Sequence, residues 1–148
     1  MITKIPVSCI VYADNSDYLF KEYFNEGKTG LTGEPIVNRE LYIQLDNMGV
    51  LDCYGIYDND TLGGFIIAST TPSPHYGGLA TNIMSVFVLK EYRKYGTAKK
   101  LITLVEQAAK DRGSSIVIIS SPEDAVMGKF VPKIGYKVSN ILYAKDIR

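Results

Sequence analysis

The chain has 148 residues, a length ordinary for one domain, and we expect residues 1–148 to form a single domain. Its hydrophobic content of 46% and charged content of 22% are typical of a globular protein with a buried core. No apolar run approaches the roughly 18 residues needed to cross a bilayer, and the first residues lack a signal-peptide pattern. Cys9 and Cys53 are too far apart in sequence to indicate a disulfide framework or a metal motif. We therefore expect a cytoplasmic protein with two buried thiols and no metal.

The net charge is zero, but the charge is unevenly distributed. Residues 1–80 carry 4 basic and 10 acidic side chains, whereas residues 81–148 carry 12 basic and 6 acidic ones. A basic second half suits a polyanionic ligand such as a nucleotide, and an acidic first half suits a cationic partner. Chance segregation on a solvated surface remains an alternative. The lysines lack interleaved aromatic residues, which disfavours nucleic-acid binding.

The first half of the chain predicts a strand, two helices and a hairpin. The first strand is the apolar run 6–12, and the helices have apolar residues at helical spacing. Candidate helix caps at residues 15–17 and a stop at Gly49 support the helix limits. The predicted helices cover residues 15–25 and 38–48, and the hairpin strands cover residues 51–57 and 62–70.

The second half predicts alternating strands and helices. Residues 97–112 form the clearest helix, with an apolar stripe that Gly113 ends, and the run 115–119 is typical of a strand buried on both faces. We also expect a strand over 81–88, a helix over 122–133 and a closing strand or strand pair over 136–146. This order predicts an α/β (α+β) fold with antiparallel hairpins and one βαβ crossover.

A strand, a short loop and a helix meet at residues 86–99. The loop contains Arg93, Gly96 and Ala98 in the pattern R-x-x-G-x-A. The first N–H groups of a helix are unpaired and favour a phosphate, and Gly96 allows its close approach. Dinucleotide-binding G-x-G-x-x-G and Walker patterns are absent from the sequence. The segment therefore suits a diphosphate, although an ordinary βα turn with a glycine would have the same pattern.

This segment resembles the acetyl-CoA-binding motif of the GNAT superfamily of N-acetyltransferases, which is a strand, then Q/R-x-x-G-x-G/A, then a long helix. The later strand, the short helix and the pair Gly135-Tyr136 also follow the family order. The resemblance implies a mixed, splayed, mostly antiparallel sheet flanked by about four helices. It also implies transfer of an acetyl group from acetyl-CoA to a primary amine by direct attack in a ternary complex.

The resemblance also implies which residues bind the cofactor. The backbone of Val86 and Val88 would hold the pantetheine arm, and core packing of their side chains is compatible with that role. The loop and helix start would hold the pyrophosphate. The implied cofactor-binding residues are Val86, Phe87, Val88, Arg93, Lys94, Tyr95, Gly96, Thr97, Ala98 and Lys99.

The family pattern breaks where many members have a tyrosine that protonates the departing thiolate, because this chain has Val131 there. Another hydroxyl could serve, from Ser120, Ser121, Tyr136 or Tyr143. Solvent could protonate the thiolate instead, since a thiol pKa of about 8.5 makes it a tolerable leaving group. The third alternative is a regulatory or interaction module that binds CoA without transferase activity.

The candidate catalytic residues are Glu123, His75 and Tyr143. Glu123 follows a predicted strand and could accept a proton from the amine, although a carboxylate also suits a helix N-terminus. His75 titrates in the right range but also suits an exposed loop. Tyr76 could line an acceptor cleft. The acceptor would enter between the loops 27–35 and 71–78 and the closing strands.

The acidic first half favours a cationic acceptor, either a small molecule or a protein amine. We expect no nucleic-acid or membrane partner. A homodimer is an open alternative, because many family members dimerise.

Overall fold

The computed structural model describes residues 1–27, 35–75, 77–122 and 125–148, and it describes the backbone alone for Tyr95. Within these ranges the chain forms five strands and five α-helices. The strands are β1 (Ile2–Lys4), β2 (Leu51–Asp58), β3 (Thr61–Pro72), β4 (Leu79–Val88) and β5 (Ser114–Ile119). The helices are α1 (Ser8–Val11), α2 (Ser16–Gly27), α3 (Arg39–Asn47), α4 (Thr97–Asp111) and α5 (Val126–Phe130). Short 3₁₀ turns lie at Lys90–Tyr92, Lys94–Gly96 and Val131–Ile134.

The five strands form one sheet in the order β1-β2-β3-β4-β5. The first four pair antiparallel, whereas β4 and β5 pair parallel. A parallel pair needs a crossover connection, and α4 supplies it. The α/β (α+β) class, the hairpin and the βαβ crossover are therefore confirmed.

Helices cover the two faces of the sheet. On one face, α1 and α2 bury Ile10, Leu19 and Phe20 against β3 and β4. On the other face, α4 buries the apolar stripe that the sequence predicts, at Leu101, Ile102, Val105 and Ala109. Burying each aliphatic side chain stabilises the fold by about 1.5–3 kcal/mol. Each helix therefore packs with its apolar side against the sheet.

A buried carboxylate fixes the C-terminal end of α4 to the sheet. Asp52 of β2 has 5% of its side chain exposed and accepts a hydrogen bond of 2.6 Å from Nε of Arg112. Lys4 of β1 lies 3.2 Å from the same carboxylate, and Arg112 also donates to the carbonyls of Gly49 and Leu51. This network sets the direction of α4, and hence the position of its other end.

The predicted strand over residues 6–12 is wrong, because this run forms α1. Its buried residues are Val7, Ile10 and Val11, which lie at helical rather than alternating spacing. The backbone N–H of Val7 is bound by the carboxylate of Asp46, which ties α1 to α3. Cys9 is exposed, so only Cys53 matches the expectation of a buried thiol.

The predicted closing strand or strand pair over residues 136–146 is also wrong. Within residues 125–148 no strand follows α5, and the chain beyond Tyr136 is exposed. β5 is therefore an edge strand, and Ile116 and Ile118 are each 37% exposed rather than buried on both faces. Apolar residues favour a strand only when they pair and pack, and this tail does neither.

Candidate active site

A cleft opens where β4 and β5 separate. The two strands pair from Leu79 with Ser114 to Ile83 with Ile119, and the rest of β4 has no β5 partner. A bulge lies at this point, because Ile67 pairs with Ser85 while its neighbour Ala68 pairs with Ile83. A bulge bends a strand and increases its twist, which helps to open the sheet.

The β4–β5 cleft has a volume of about 440 Å³. Its walls are the second half of β4, the start of α4, the end of β5, the segment around α5 and the C-terminal end of α2. The pocket is therefore continuous from the loop that precedes α4 to the bulge. This is the splay that the resemblance implies, with the expected loop at one end.

Gly96 shapes the loop end of the cleft. It is the N-cap of α4 with φ +66°, a left-handed conformation that glycine adopts without strain. A Cβ added there would meet no atom within 4 Å, so the space beside it is open to a ligand. The first turn of the 15-residue α4, where backbone N–H groups of a helix are unpaired, borders this space. The loop therefore has the electrostatic character and the room that a pyrophosphate needs.

The side chain of Thr97 stabilises the loop that precedes α4. Its single O–H is shared between the carbonyls of Tyr92 and Lys94, so it holds the two 3₁₀ turns against the first turn of α4. Arg93 is held by other contacts: its Nε donates 2.7 Å to the carbonyl of Val88, and Nη2 lies 2.6 Å from a carboxylate oxygen of Glu26. Its guanidinium also lies 5.5 Å from the ring centroid of Phe87.

The structure brings most of the sequence-predicted cofactor residues together in the cleft. Lys94 is exposed and is not among the described residues that line the cleft. The side chain of Tyr95 is not among the parts of the chain that the structure describes. The members that line the cleft are Val86, Phe87, Val88, Arg93, Gly96, Thr97, Ala98 and Lys99. Their contact with a cofactor remains a prediction.

Unlike the cofactor residues, none of the three candidate catalytic residues is among the described residues that line the cleft. His75 is exposed in the β3–β4 connection and Tyr143 is 91% exposed in the tail, and neither lines the cleft. Glu123 lies outside the described residues, as does Tyr76, and most of the loop 27–35 is also outside them. An acceptor route along closing strands is excluded, because residues 136–146 form none.

The other hydroxyl groups that could protonate the thiolate lie in different places. Ser120 and Ser121 line the cleft at the end of β5, and Ser121 donates 3.0 Å to the carbonyl of Pro122. Tyr136 instead donates 2.9 Å to a carboxylate oxygen of Glu106 on α4. Burial, followed by this hydrogen bond, raises the pKa of Tyr136 well above its ordinary value. The Tyr136 hydroxyl therefore bonds to α4, and Tyr136 is not among the described residues that line the cleft.

The cleft also contains two neighbouring hydroxyl groups, on the partly buried Tyr23 and the buried Ser85, which the sequence did not predict to lie together. Tyr23 of α2 and Ser85 of β4 both line it beside the bulge, and Ser85 is close enough to influence the Tyr23 hydroxyl. Burial raises the pKa of Tyr23, and the neighbouring Ser85 partly offsets that rise. No local motif marks either residue, because the pair forms only when α2 packs on the sheet.

Charge in the described part of the cleft is sparse. Among the described lining residues Glu26 is the one carboxylate, and it pairs with Arg93. In the described ranges no group of three His, Cys, Asp or Glu side chains could hold a metal. No helix among the described residues is long and apolar enough to span a membrane.

The model of the acetyltransferase (GNAT) family matches residues 17–136 of this chain. No curated protein matches it significantly in sequence. A solved ribosomal-protein-alanine N-acetyltransferase from Brucella melitensis biovar Abortus 2308 has a TM-score of 0.70 and 21% identity, with 97% of each chain covered.

Two further solved structures share the fold. An aminoglycoside acetyltransferase from an uncultured soil metagenomic sample has a TM-score of 0.74 and 15% identity, covering 100% of this chain and 98% of its own. A predicted acetyltransferase with acetyl-CoA, from Clostridium acetobutylicum, has a TM-score of 0.73 and 15% identity, covering 97% and 94%. At these identities the similarity shows the fold alone.

Proposed function

Since the chain belongs to the acetyltransferase (GNAT) family, whose members are acyltransferases, we propose that it moves an acetyl group from acetyl-CoA to a primary amine. The observation that carries this proposal is the β4–β5 cleft, which joins the N-terminus of α4 to the bulge in β4. A ligand with a diphosphate at one end and a thioester at the other suits a cleft of this shape.

The loop end is the proposed diphosphate site. Gly96 leaves open space beside the first N–H groups of α4, and Lys99 adds positive charge on the same turn. Arg93 would contribute to this site from its position between Val88 and Glu26. Beyond Ile83 the edge of β4 that faces β5 has no strand partner among the described residues, and its backbone groups offer hydrogen bonds to an amide-containing arm that lies along it.

The proposed reaction is a direct attack of the amine on the thioester, and the protein forms no covalent bond to either reactant. An amine nitrogen forms a bond to the thioester carbonyl carbon, the carbon–sulfur bond breaks, and the nitrogen loses a proton while the sulfur gains one. Apolar side chains such as Met84 and Phe130 line the cleft, and with a cofactor bound between them they would limit the access of water to the thioester. Holding the two reactants side by side can lower the barrier by about 7–11 kcal/mol.

The acceptor is proposed to be cationic, as either a small molecule or a protein amine. The acidic net charge of residues 1–80 supports this proposal. Among the similar structures, one protein is named for acetylating ribosomal-protein alanine and another for acetylating aminoglycosides. Both are acetyltransferases of amine-bearing molecules, so we include both classes as probes.

Thiol release from acetyl-CoA tests the proposal. We expect turnover with at least one of spermidine, an alanine-terminated peptide and sisomicin, and little with glutamate as an anionic amine. Calorimetric binding of CoA is measured in parallel on the same protein. If glutamate were the best acceptor, the cationic proposal would fail while the transferase proposal would stand.

A second candidate is a CoA-binding regulatory or interaction module without transferase activity. Val131, at the start of the 3₁₀ turn after α5, is the observation that favours it, because a hydroxyl is missing where the family pattern has one. Calorimetric binding of CoA without thiol release across the amine panel would support this module and exclude the transferase.

A further inference from the structure

Five aromatic rings pack between α2 and the sheet, and we call them the aromatic cluster: Phe20, Tyr23, Phe24, Phe65 and Phe87. Four of the five are phenylalanines, and Tyr23 is the member that carries a hydroxyl. Its ring centroid lies 5.3 Å from Phe24, 5.9 Å from Phe87 and 6.2 Å from Phe65. Contacts on several sides hold the ring, so packing determines where the hydroxyl points.

Tyr23 and Ser85 are neighbours in the cleft lining beside the bulge. Ser85 is 6% exposed, and both residues line the β4–β5 cleft. Ser85 and Phe87 lie on the α2 side of β4, whereas Val88 packs on the α4 side. The pair therefore borders the cleft from the face opposite α4, at the end away from the loop of Gly96.

Packing alone does not account for this pair. A phenylalanine and an alanine at these two positions would fill the cluster without burying a polar atom, and burying hydroxyls costs free energy. Like any tyrosine, Tyr23 is protonated at neutral pH, and its hydroxyl can donate a hydrogen bond into the cleft that the residue lines. A donor that is held rigid and partly withdrawn from water is suited to stabilise charge that develops on a reacting oxygen.

We propose that the hydroxyl of Tyr23, oriented by Ser85, donates a hydrogen bond to the carbonyl oxygen of the acetyl thioester. The inference rests on the donor half of the proposed function. As the nitrogen attacks the carbonyl carbon, the carbonyl electron pair moves to the oxygen, and Tyr23 stabilises that charge without giving up its proton. The charge returns to form the amide as the carbon–sulfur bond breaks, so Tyr23 ends the step unchanged.

Binding measurements test the contact independently of turnover. Calorimetry with acetyl-CoA and, separately, with CoA compares the wild type with Tyr23→Phe, Ser85→Ala and the control Tyr54→Phe. Tyr54 lies on β2 outside the described lining of the cleft and also has its pKa raised by burial. Tyr23→Phe should weaken acetyl-CoA binding about two- to tenfold and leave CoA binding unchanged, because CoA has no carbonyl there. Ser85→Ala should have a smaller effect in the same direction, and Tyr54→Phe should have none.

Turnover gives the second measurement. With the best acceptor of the panel, Tyr23→Phe should lower kcat roughly a hundred- to a thousandfold with little change in KM for the amine, as expected for loss of one oxyanion donor. Equal affinity losses for acetyl-CoA and CoA, or no loss for either, would overturn the inference. A wild type that binds acetyl-CoA but acetylates no amine would instead refute the proposed function, and the selective affinity loss in Tyr23→Phe would still support the contact. Unfolding midpoints of all variants separate these outcomes from misfolding.

Discussion

Nη2 of Arg93 lies 2.6 Å from a carboxylate oxygen of Glu26, two residues that are 67 positions apart in the chain. This ion pair joins the loop before α4 to the C-terminal end of α2. The proposed diphosphate site and the helix that carries Tyr23 are therefore connected at the cleft by a direct contact.

Arg93→Glu reverses the charge at the loop. We expect CoA affinity, measured by calorimetry, to fall about tenfold to a hundredfold, because a charge-assisted contact is lost and a like charge faces the diphosphate. The variant loses the ion pair with Glu26 and the hydrogen bond to the Val88 carbonyl, so stability in urea unfolding should fall by about 1–3 kcal/mol. Lys110→Glu, the same charge change in the last turn of α4, is the control and should leave affinity intact. Undiminished affinity in Arg93→Glu would refute the proposed role of the loop.

Gly96→Ala tests the backbone of the same loop. The left-handed conformation at φ +66° should cost an alanine about 1–2 kcal/mol of stability, since the surrounding space is open and only the backbone is strained. Gly113→Ala is a matched control at φ +85° beyond the other end of α4, also with open space. Both variants should lose similar stability in urea unfolding, whereas only Gly96→Ala should weaken CoA binding. Equal CoA affinity in the two variants would contradict a ligand site beside Gly96.

Asp52→Asn removes the charge that α4 and β1 share. We expect a loss of about 1.5–3 kcal/mol in urea unfolding, because Arg112 would lose its charged partner at a buried position. Asp60→Asn makes the same chemical change in the exposed β2–β3 turn and should shift stability by less than about 0.5 kcal/mol. If the two variants were equally stable, the network around Asp52 would not hold α4.

The two thiols should differ in reactivity. Burial raises the pKa of Cys53 from its ordinary value of 9.0 to about 12, so the reactive thiolate is suppressed near pH 8. Cys9 is exposed. Iodoacetamide should therefore modify one thiol per native chain, at Cys9, and the second only after unfolding. Rapid native modification of Cys53, located by peptide mass analysis, would contradict its burial.

The same pKa shift makes stability depend on alkaline pH. The folded state holds the Cys53 proton more tightly than the unfolded state does, so this contribution is complete below about pH 9. It is lost as the pH rises from about 9 towards 12. The free energy of unfolding in urea should therefore fall less steeply over this range in Cys53→Ala than in the wild type. Equal slopes would show that Cys53 does not contribute.

Structural features that depend on residues close together in the chain were predictable from the sequence. The stripe at Leu101, Ile102 and Val105 predicted α4, and the turn at residues 58–60 predicted the β2–β3 hairpin. The pattern of Arg93, Gly96 and Ala98 predicted a ligand loop, and all three residues line the cleft. Each of these features depends on neighbours within one or two turns of chain, so periodicity and backbone preference were sufficient.

The sequence by itself therefore determined the family and the loop end of the cleft, whereas tertiary packing decided the rest. Residues 6–12 form a helix because packing against α3 suits Val7, Ile10 and Val11, and residues 136–146 have no partner strand. Tyr23 meets Ser85, and Arg93 meets Glu26, only because α2 lies across β4. These contacts join residues far apart in the chain, and local preferences do not specify which distant surfaces will bury each other.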